Sequence, residues 1–385
     1  MKVDFYRHEL TPDDARAIAD VLATPFLTTG AVSKRVEAQL ASYFDLPHAI
    51  LVNSWTNGAL ALLLAMDLRP GDEVVIPAMT FIATANVVEL AGGTPVFVDC
   101  DPGTLLITPE NIRPHVSERT RAVMPVHMYG QMVDVTGVRE MLDTHPRRAG
   151  HIALIEDCAH CFEGKREGYR PGRHSDAAVF SFYATKNITC GEGGAIVMSD
   201  EGWFRRTLET RLHGMSAIAV DRFAGGRYNH WDMNRLGTKA NLPDLLAALL
   251  PPQIETIDAR LERRKAVAER YREALAGGPL RLVTQVQACE SAEHIFPIGI
   301  PRGQRDAAIA RLNEAGIAVT VNYRTVPSMN YYSARYPGAD AACPESARWG
   351  EETLTLPFYP ALPRDQQDYV IETIKAQIYP LVEAA

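Results

Sequence analysis

The stretch spanning residues 176–199, DAAVFSFYATKNITCGEGGAIVMS, constrains this chain most. Its two apolar runs, 177–182 and 195–198, are short and bounded by turn residues, which predicts two buried strands joined by a loop. The loop carries one lysine, Lys186, and leads into Gly191-Glu192-Gly193-Gly194. Loops at the carboxyl ends of strands are where open α/β sheets place ligands. Most lysines are only solvated cations. Here Ser181, Thr185 and Asn187 supply hydroxyl and amide partners, and the glycines let a backbone approach a bound group closely. A lysine held in a dry site can lose its proton and condense with an aldehyde.

Pyridoxal phosphate is the usual such aldehyde, and it requires a carboxylate for its pyridinium nitrogen and an anion site for its phosphate. The short apolar strand 48–52 runs into Asn53-Ser54-Trp55-Thr56-Asn57-Gly58 and then an apolar helix over 59–66. Strand, polar turn and helix together aim free N–H groups and the positive end of a helix dipole at an anion. Taken alone, the same turn reads more readily as a helix cap and nothing more, and the pairing with a lysine loop changes that balance. A second apolar strand, 151–155, ends in Glu156-Asp157. A carboxylate there is either a satisfied structural acid or a functional one. Beside a lysine loop, Asp157 becomes the natural partner of the ring nitrogen, because an ionised acid keeps that nitrogen protonated.

The rest of the chain supplies a frame for these residues. Helices are predicted over 12–22, 33–44, 82–91 and 135–142, and strands over 73–76, 95–98 and 122–125. Strands alternating with helices mean a mainly parallel sheet covered on both faces. Residues 203–241 are polar and read as long surface connections, with a Gly225-Gly226 turn. An apolar helix over 243–250 is interrupted by Pro251-Pro252, and a charged helix over 254–276 leads to Gly277-Gly278-Pro279, the best candidate boundary. Beyond it, strands at 281–286, 294–300 and 319–323 and helices at 304–315 and 365–379 make a small α+β unit. The expected organisation is a large α/β domain over 1–250, a linking helix over 251–278 and a small C-terminal domain over 279–385, which a chain of 385 residues accommodates.

Composition removes several function classes. A net charge of −8 argues against a nucleic-acid surface, and no apolar run is long enough to span a bilayer. The acidic opening segment does not read as a signal peptide, so a cytoplasmic location is the default expectation. Six scattered cysteines are not a disulfide framework. Cys158 and Cys161 form a C-x-x-C with redox and metal readings, but no second pair lies at zinc spacing, so apolar packing and no metal site are expected.

Nine motifs then carry a resemblance. They are FLTTG (26–30), SWTNGALALLLAM (54–66), PAMTFIATANVV (77–88), PVFVDCDPGTL (95–105), PVHMYGQ (125–131), EDCAH (156–160), FSFYATKNITCGEGG (180–194), RLHGM (211–215) and LPFYP (356–360). In this order and over nearly the whole length, the chain resembles the DegT/DnrJ/EryC1/StrS group of pyridoxal-phosphate-dependent nucleotide-sugar aminotransferases. The resemblance implies an α/β subunit of fold type I, like aspartate aminotransferase. Such a subunit has a mostly parallel seven-stranded sheet and a small C-terminal α+β domain, and works as a homodimer with a shared active site. By position, Lys186 resembles the Schiff-base lysine, Asp157 the pyridinium partner and Phe81 the aromatic stacked on the ring. Thr56, Asn57 and Ser181 resemble the phosphate binders. His160 stands near the cofactor's phenolic oxygen, where most members have glutamine. A subset similar to the 4-amino-4-deoxy-arabinose and pseudaminic-acid pathway aminotransferases has histidine there.

Three places depart from the family pattern. Trp55 replaces a small residue beside the phosphate turn. Gly237-Thr238-Lys239-Ala240-Asn241 stands where the family's G-Y-N-Y-R reaches the neighbouring subunit's phosphate, with Lys239 or Asn241 able to serve. Thr29, His213, Asn322 and Tyr323 fall at substrate positions, the last two where a histidine-aromatic pair often stands. The implied catalytic set is Lys186, Asp157 and His160. The implied reaction moves an amino group from L-glutamate, leaving 2-oxoglutarate, to a nucleotide-linked keto sugar, with pyridoxamine phosphate as the alternate cofactor form. Histidine at 160 points to C4 of a 4-keto-6-deoxy hexose, with C3 transfer as the competitor. A non-catalytic pyridoxal-phosphate-binding regulator, and a thiol protein built on Cys158 and Cys161, are the readings from other classes.

Overall fold

The computed structural model describes residues 1–216 and 230–385, so the Gly225-Gly226 turn lies outside the described residues. In chain order the strands are β1 (His48–Val52), β2 (Glu73–Pro77), β3 (Thr94–Val98), β4 (Thr120–Val123), β5 (Ala153–Asp157), β6 (Lys165–Arg166), β7 (Ala177–Ser181), β8 (Gly194–Met198), β9 (Arg281–Leu282), β10 (Cys289–Glu290), β11 (Phe296–Gly299) and β12 (Thr353–Leu356). Seven of them form one sheet in the order β1-β8-β7-β5-β4-β2-β3. Only β8 runs against its neighbours, so the sheet is mostly parallel, as expected.

The strands of this sheet are apolar at nearly every position because both faces are covered. Side chains alternate along a strand, and the parity assigns each residue to a layer. Ile50, Val52, Ile76, Ile155, Val179 and Ile196 pack with helices Trp55–Leu64, Ala83–Leu90 and Glu201–Arg211. Leu51, Phe180, Ala195 and Val197 face the other way, onto helix Ala31–Phe44 and the start of helix Pro251–Leu275. Pro251 and Pro252 open this long helix rather than interrupt the chain there. The first helical turn needs no backbone N–H from them.

A second core gathers around β11, β12 and the C-terminal half of the long helix, including Tyr271, Leu275, Phe296, Ile298 and Leu356. Its sheet is antiparallel, in the order β12-β11-β9. Val3 packs in this core and donates its N–H to the carbonyl of Gly316 at 2.9 Å. The first residues therefore belong with the C-terminal part of the chain, not with the large sheet. Two expected strands are shorter or absent: only Arg281–Leu282 of 281–286 is a strand, and 319–323 contributes only an isolated bridge from Thr320 to Thr355. The partner that completes the small sheet is β12, at the start of the LPFYP motif. No helix among the described residues is long and apolar enough to cross a membrane.

Sheet and site meet at Gly194, the first residue of β8. A Cβ there would lie 2.6 Å from the carbonyl oxygen of Phe180 and 2.9 Å from the backbone nitrogen of Trp55. Close approach of three backbones thus depends on a missing side chain. Gly194→Ala is expected to lower stability by about 1–3 kcal/mol, read as a lower thermal midpoint, and to weaken cofactor retention by moving the turn at Ser54–Trp55.

Candidate active site

The carboxyl ends of β5 and β7 lie side by side, with Asp157 paired to Val179 in register. β5 ends in Asp157, and the loop after β7 returns with Lys186, so both side chains line one cleft of about 520 Å³. Asp157 is 4% exposed. Its Oδ1 accepts the N–H of Ala159 at 3.0 Å and its Oδ2 the hydroxyl of Thr84 at 3.1 Å. Thr84 in turn accepts from Thr80 at 2.9 Å. The two threonines stand four residues apart, Thr80 in the bend before helix Ala83–Leu90 and Thr84 in its first turn. That i,i+4 spacing after a buried strand is the signal by which the sequence could have revealed them.

Burial pushes the Asp157 carboxyl up to about 6, against its two hydrogen-bond donors and the nearby positive charge of Lys186. Burial likewise brings the Lys186 amine down to about 8, and the negative charge of Asp157 limits that fall. The consequences for the fold follow directly. The Asp157 contribution to stability is fully present below about 4 and is lost as pH rises through about 6. Lys186 opposes folding below about 8, and this opposition fades as pH rises toward 10.5.

His160 is buried on the wall beside them. Its Nδ1 accepts the N–H of Tyr129 at 3.3 Å, so the neutral ring carries its proton on Nε2 and donates to Tyr323 Oη at 3.1 Å. Burial and then the charge of Lys186 hold the imidazole well below its usual pKa. Tyr323 and Asn322 enter the cleft from the C-terminal part of the chain. Tyr129 donates to the carbonyl of Asn322 and accepts from Trp349 Nε1, tying that segment to the large sheet.

An anion-binding end completes the cleft. Ser54 caps helix Trp55–Leu64 by accepting the N–H of Asn57 at 3.1 Å. The N–H groups of Trp55 and Thr56 are left without an intrahelical partner at the positive end of the helix. Thr56, Ser181, Gly193 and Glu192 line the same region, and Phe81, 54% exposed, stands at the cleft and lies 5.8 Å from Tyr323. A near-neutral amine, a buried carboxylate and a helix N-terminus in one cleft are the donor set that pyridoxal phosphate needs, so the residues present fit the group.

Lys186, Asp157, His160, Thr56, Phe81, Ser181, Asn322 and Tyr323 are thus brought together. Asn57 is not among the lining residues: its side-chain amide donates to Asn53 at 2.9 Å. Asn241 turns toward Thr28 and Thr29, bonding Thr29 Oγ1 at 2.6 Å, while Lys239 and His213 are exposed. These four, with Thr29, lie outside the cleft of their own protomer. Ser54 and Trp55 of the anion turn and Thr185 of the lysine loop also line it, as do Thr80 and Thr84, which the sequence had not singled out.

The cysteine motif does different work. Cys158 and Cys161 are buried free thiols, each pushed well above its usual pKa by burial and nearby negative groups. Thiols so placed are poor nucleophiles. His127, Glu156 and Cys158 lie close enough to suggest a metal, but both ring nitrogens of His127 are engaged. Nδ1 accepts from Val133 and Nε2 donates to Glu156 at 2.6 Å, whose other oxygen accepts from Gly172 and Ser175.

In cofactor-free protein, Asp157→Asn removes the charge that props up the Lys186 ammonium. The half-point of Lys186 reactivity toward an acylating reagent, followed against pH, is expected to fall below that of the parent by about 1 unit. An unchanged half-point would mean that the two charges do not interact.

The profile of the DegT/DnrJ/EryC1/StrS aminotransferase family matches residues 8–375. Among solved structures, Spr1654 from Streptococcus pneumoniae in its PMP form superposes with a TM-score of 0.91 at 27% identity, covering 99% of this chain and 100% of that one. The sugar aminotransferase CalS13 from Micromonospora echinospora gives 0.86 at 27% identity, covering 97% and 100%. The aminotransferase TlmJ from Streptoalloteichus hindustanus gives 0.89 at 26%, covering 98% and 99%. Spr1654 has also been solved in a PLP form that matches equally well in extent. The chain therefore belongs to the DegT/DnrJ/EryC1/StrS family of pyridoxal-phosphate-dependent aminotransferases, with the fold-type-I architecture.

Proposed function

We propose that the protein moves an amino group from L-glutamate to a nucleotide-linked keto sugar, at C4 of a 4-keto-6-deoxy hexose. The observation that carries the reading is the opposition of Lys186 and Asp157 in a cleft whose far end is a helix N-terminus. Similarity to CalS13, a sugar aminotransferase, supports the substrate class. The histidine at 160 supports C4 over C3.

Pyridoxal phosphate, when bound, supplies an electron sink for removal of the proton from the donor's Cα. Lys186 Nζ is the group that takes and returns that proton, and a pKa near 8 suits it to do both near neutrality. Asp157 presents its carboxylate where a ring nitrogen is to be kept protonated, held in place by Ala159 and Thr84. Trp55 and Thr56 N–H groups, with Ser181, hold the phosphate. The His160 Nε2–H and Tyr323 Oη orient polar groups on the opposite wall. Among the described residues lining the cleft, Lys186 is the one lysine or arginine, whereas both substrates are anionic. A second copy of the chain is proposed to complete the site with Lys239 or Asn241 in a homodimer.

Transfer from L-glutamate to a panel of 4-keto and 3-keto nucleotide sugars tests this, with the position of the new amine read by NMR. Lys186→Ala is expected to lower turnover by at least about 10⁴-fold and to abolish the visible absorbance band of the loaded protein. An amine at C3 would sink the ring position. A band that ignores glutamate, with no transfer to any sugar, would favour a binding-only regulator.

A further inference from the structure

One buried group near the site has no role in the reaction as derived above. His294 lies four residues past β10, and it is 6% exposed. Its ring centroid is 4.3 Å from that of His160, at an interplanar angle of 35°. Its Nδ1 is 2.9 Å from Oδ1 of Asn187, the residue next to Lys186.

The orientation of Asn187 is determined by its other contacts. Its amide nitrogen donates to Glu163 Oε2 at 2.8 Å and to the carbonyl of Ala292 at 3.0 Å. Oxygen therefore faces His294, and His294 Nδ1 must be the protonated nitrogen. Burial, followed by the positive charges facing it, keeps this imidazole neutral. Glu163 is paired in turn with Arg264 of the long helix, both at most 2% exposed, and Arg264 Nε donates to the same Ala292 carbonyl at 3.3 Å. Ala292 N–H bonds the carbonyl of Gly130 and His294 N–H that of Tyr129, whose own N–H goes to His160. The lysine loop, the long helix and the approach to the small sheet thus share one hydrogen-bonded chain.

We propose that His294 is a positioning residue for the transamination, holding the Lys186 loop through Asn187 and the His160 ring through direct contact. This rests on the reading of Lys186 as the cofactor lysine. This buried network, in which Arg264 Nη1 is left without a hydrogen-bond partner, has few alternative arrangements, and removing one donor leaves a desolvated acceptor that the loop must move to satisfy. Misplacement of about 1 Å costs on the order of 10²-fold in rate.

The test is a double-mutant cycle of His294→Phe and Asn187→Ala. Phe keeps a ring against His160 but removes the donor. Two quantities are read: the rate at which cofactor-free protein captures pyridoxal phosphate, followed by absorbance, and the single-turnover rate with L-glutamate. Each single variant is expected to lose about 10- to 100-fold in both, and the double variant no more than Asn187→Ala alone. His294→Asn, whose Nδ2 can stand where Nδ1 stood and donate to Asn187, is expected to recover most of the loss. Capture and turnover as fast as the parent in His294→Phe would overturn the proposal, as would losses that multiply in the double variant. Should His294→Phe not fold, His294→Leu, which carries no donor, takes its place in the cycle. Lys186→Ala is run alongside: an absorbance band that survives in it would remove the underlying reading of Lys186, whatever the cycle shows.

Discussion

Two opposite charges taken out of water at the ends of adjacent strands set the terms for the rest of this molecule. Asp157 and Lys186 each resist ionisation in their surroundings, and each lessens the cost for the other. That balance requires the strands to hold still. β5 and β7 are central in a seven-stranded sheet, packed on both faces, and their carboxyl ends cannot drift apart without breaking the register of Asp157 with Val179. Catalytic chemistry and the rigidity of the sheet centre are therefore the same constraint seen from two sides.

Rigidity at the sheet centre alone would not place the lysine, because Lys186 sits on a loop. The chain of partners from Asn187 to Glu163 and Arg264 supplies what the strand lacks. It does so by crossing between the large sheet, the long helix and the approach to the small sheet. A buried ion pair is a weak source of net stability, since desolvation offsets much of its attraction. Its value here is directional: Glu163 makes Asn187 present its oxygen to His294 and its nitrogen away. The Tyr129–Asn322–Trp349 contacts do the same for the opposite wall, linking the segment that carries Tyr323 to the loop that holds His160.

Much of the site was legible because it follows chain-local rules. Lys186, Asp157 and Thr56 each lie at a strand's end or a helix's start, where short-range pattern and turn chemistry locate them. Thr84 escaped notice because its importance comes from contact with Asp157, 73 positions away. His294 escaped for the same reason, standing in an apolar run that reads as an ordinary strand. Asn57 lies in the same turn as Thr56, but its side-chain amide donates to Asn53 and does not line the cleft. The region 319–323 was read as a strand from its composition, yet its backbone makes a single bridge to Thr355 along the outer edge of β12, and its Asn322 carbonyl accepts from Tyr129 instead of continuing the ladder.

The sequence by itself determined the alternation of strand and helix, the lysine loop, the acid that ends β5 and the cap that opens the phosphate helix. All of these depend on residues within a few positions of one another, where periodicity, capping and turn preferences act. Tertiary structure alone decided which strands are neighbours, that the first residues join the C-terminal core, and which partners lock Lys186, His160 and Asn187. Those outcomes depend on packing and on pairing of buried polar groups across long separations, and a buried donor takes whichever acceptor the fold brings within about 3 Å.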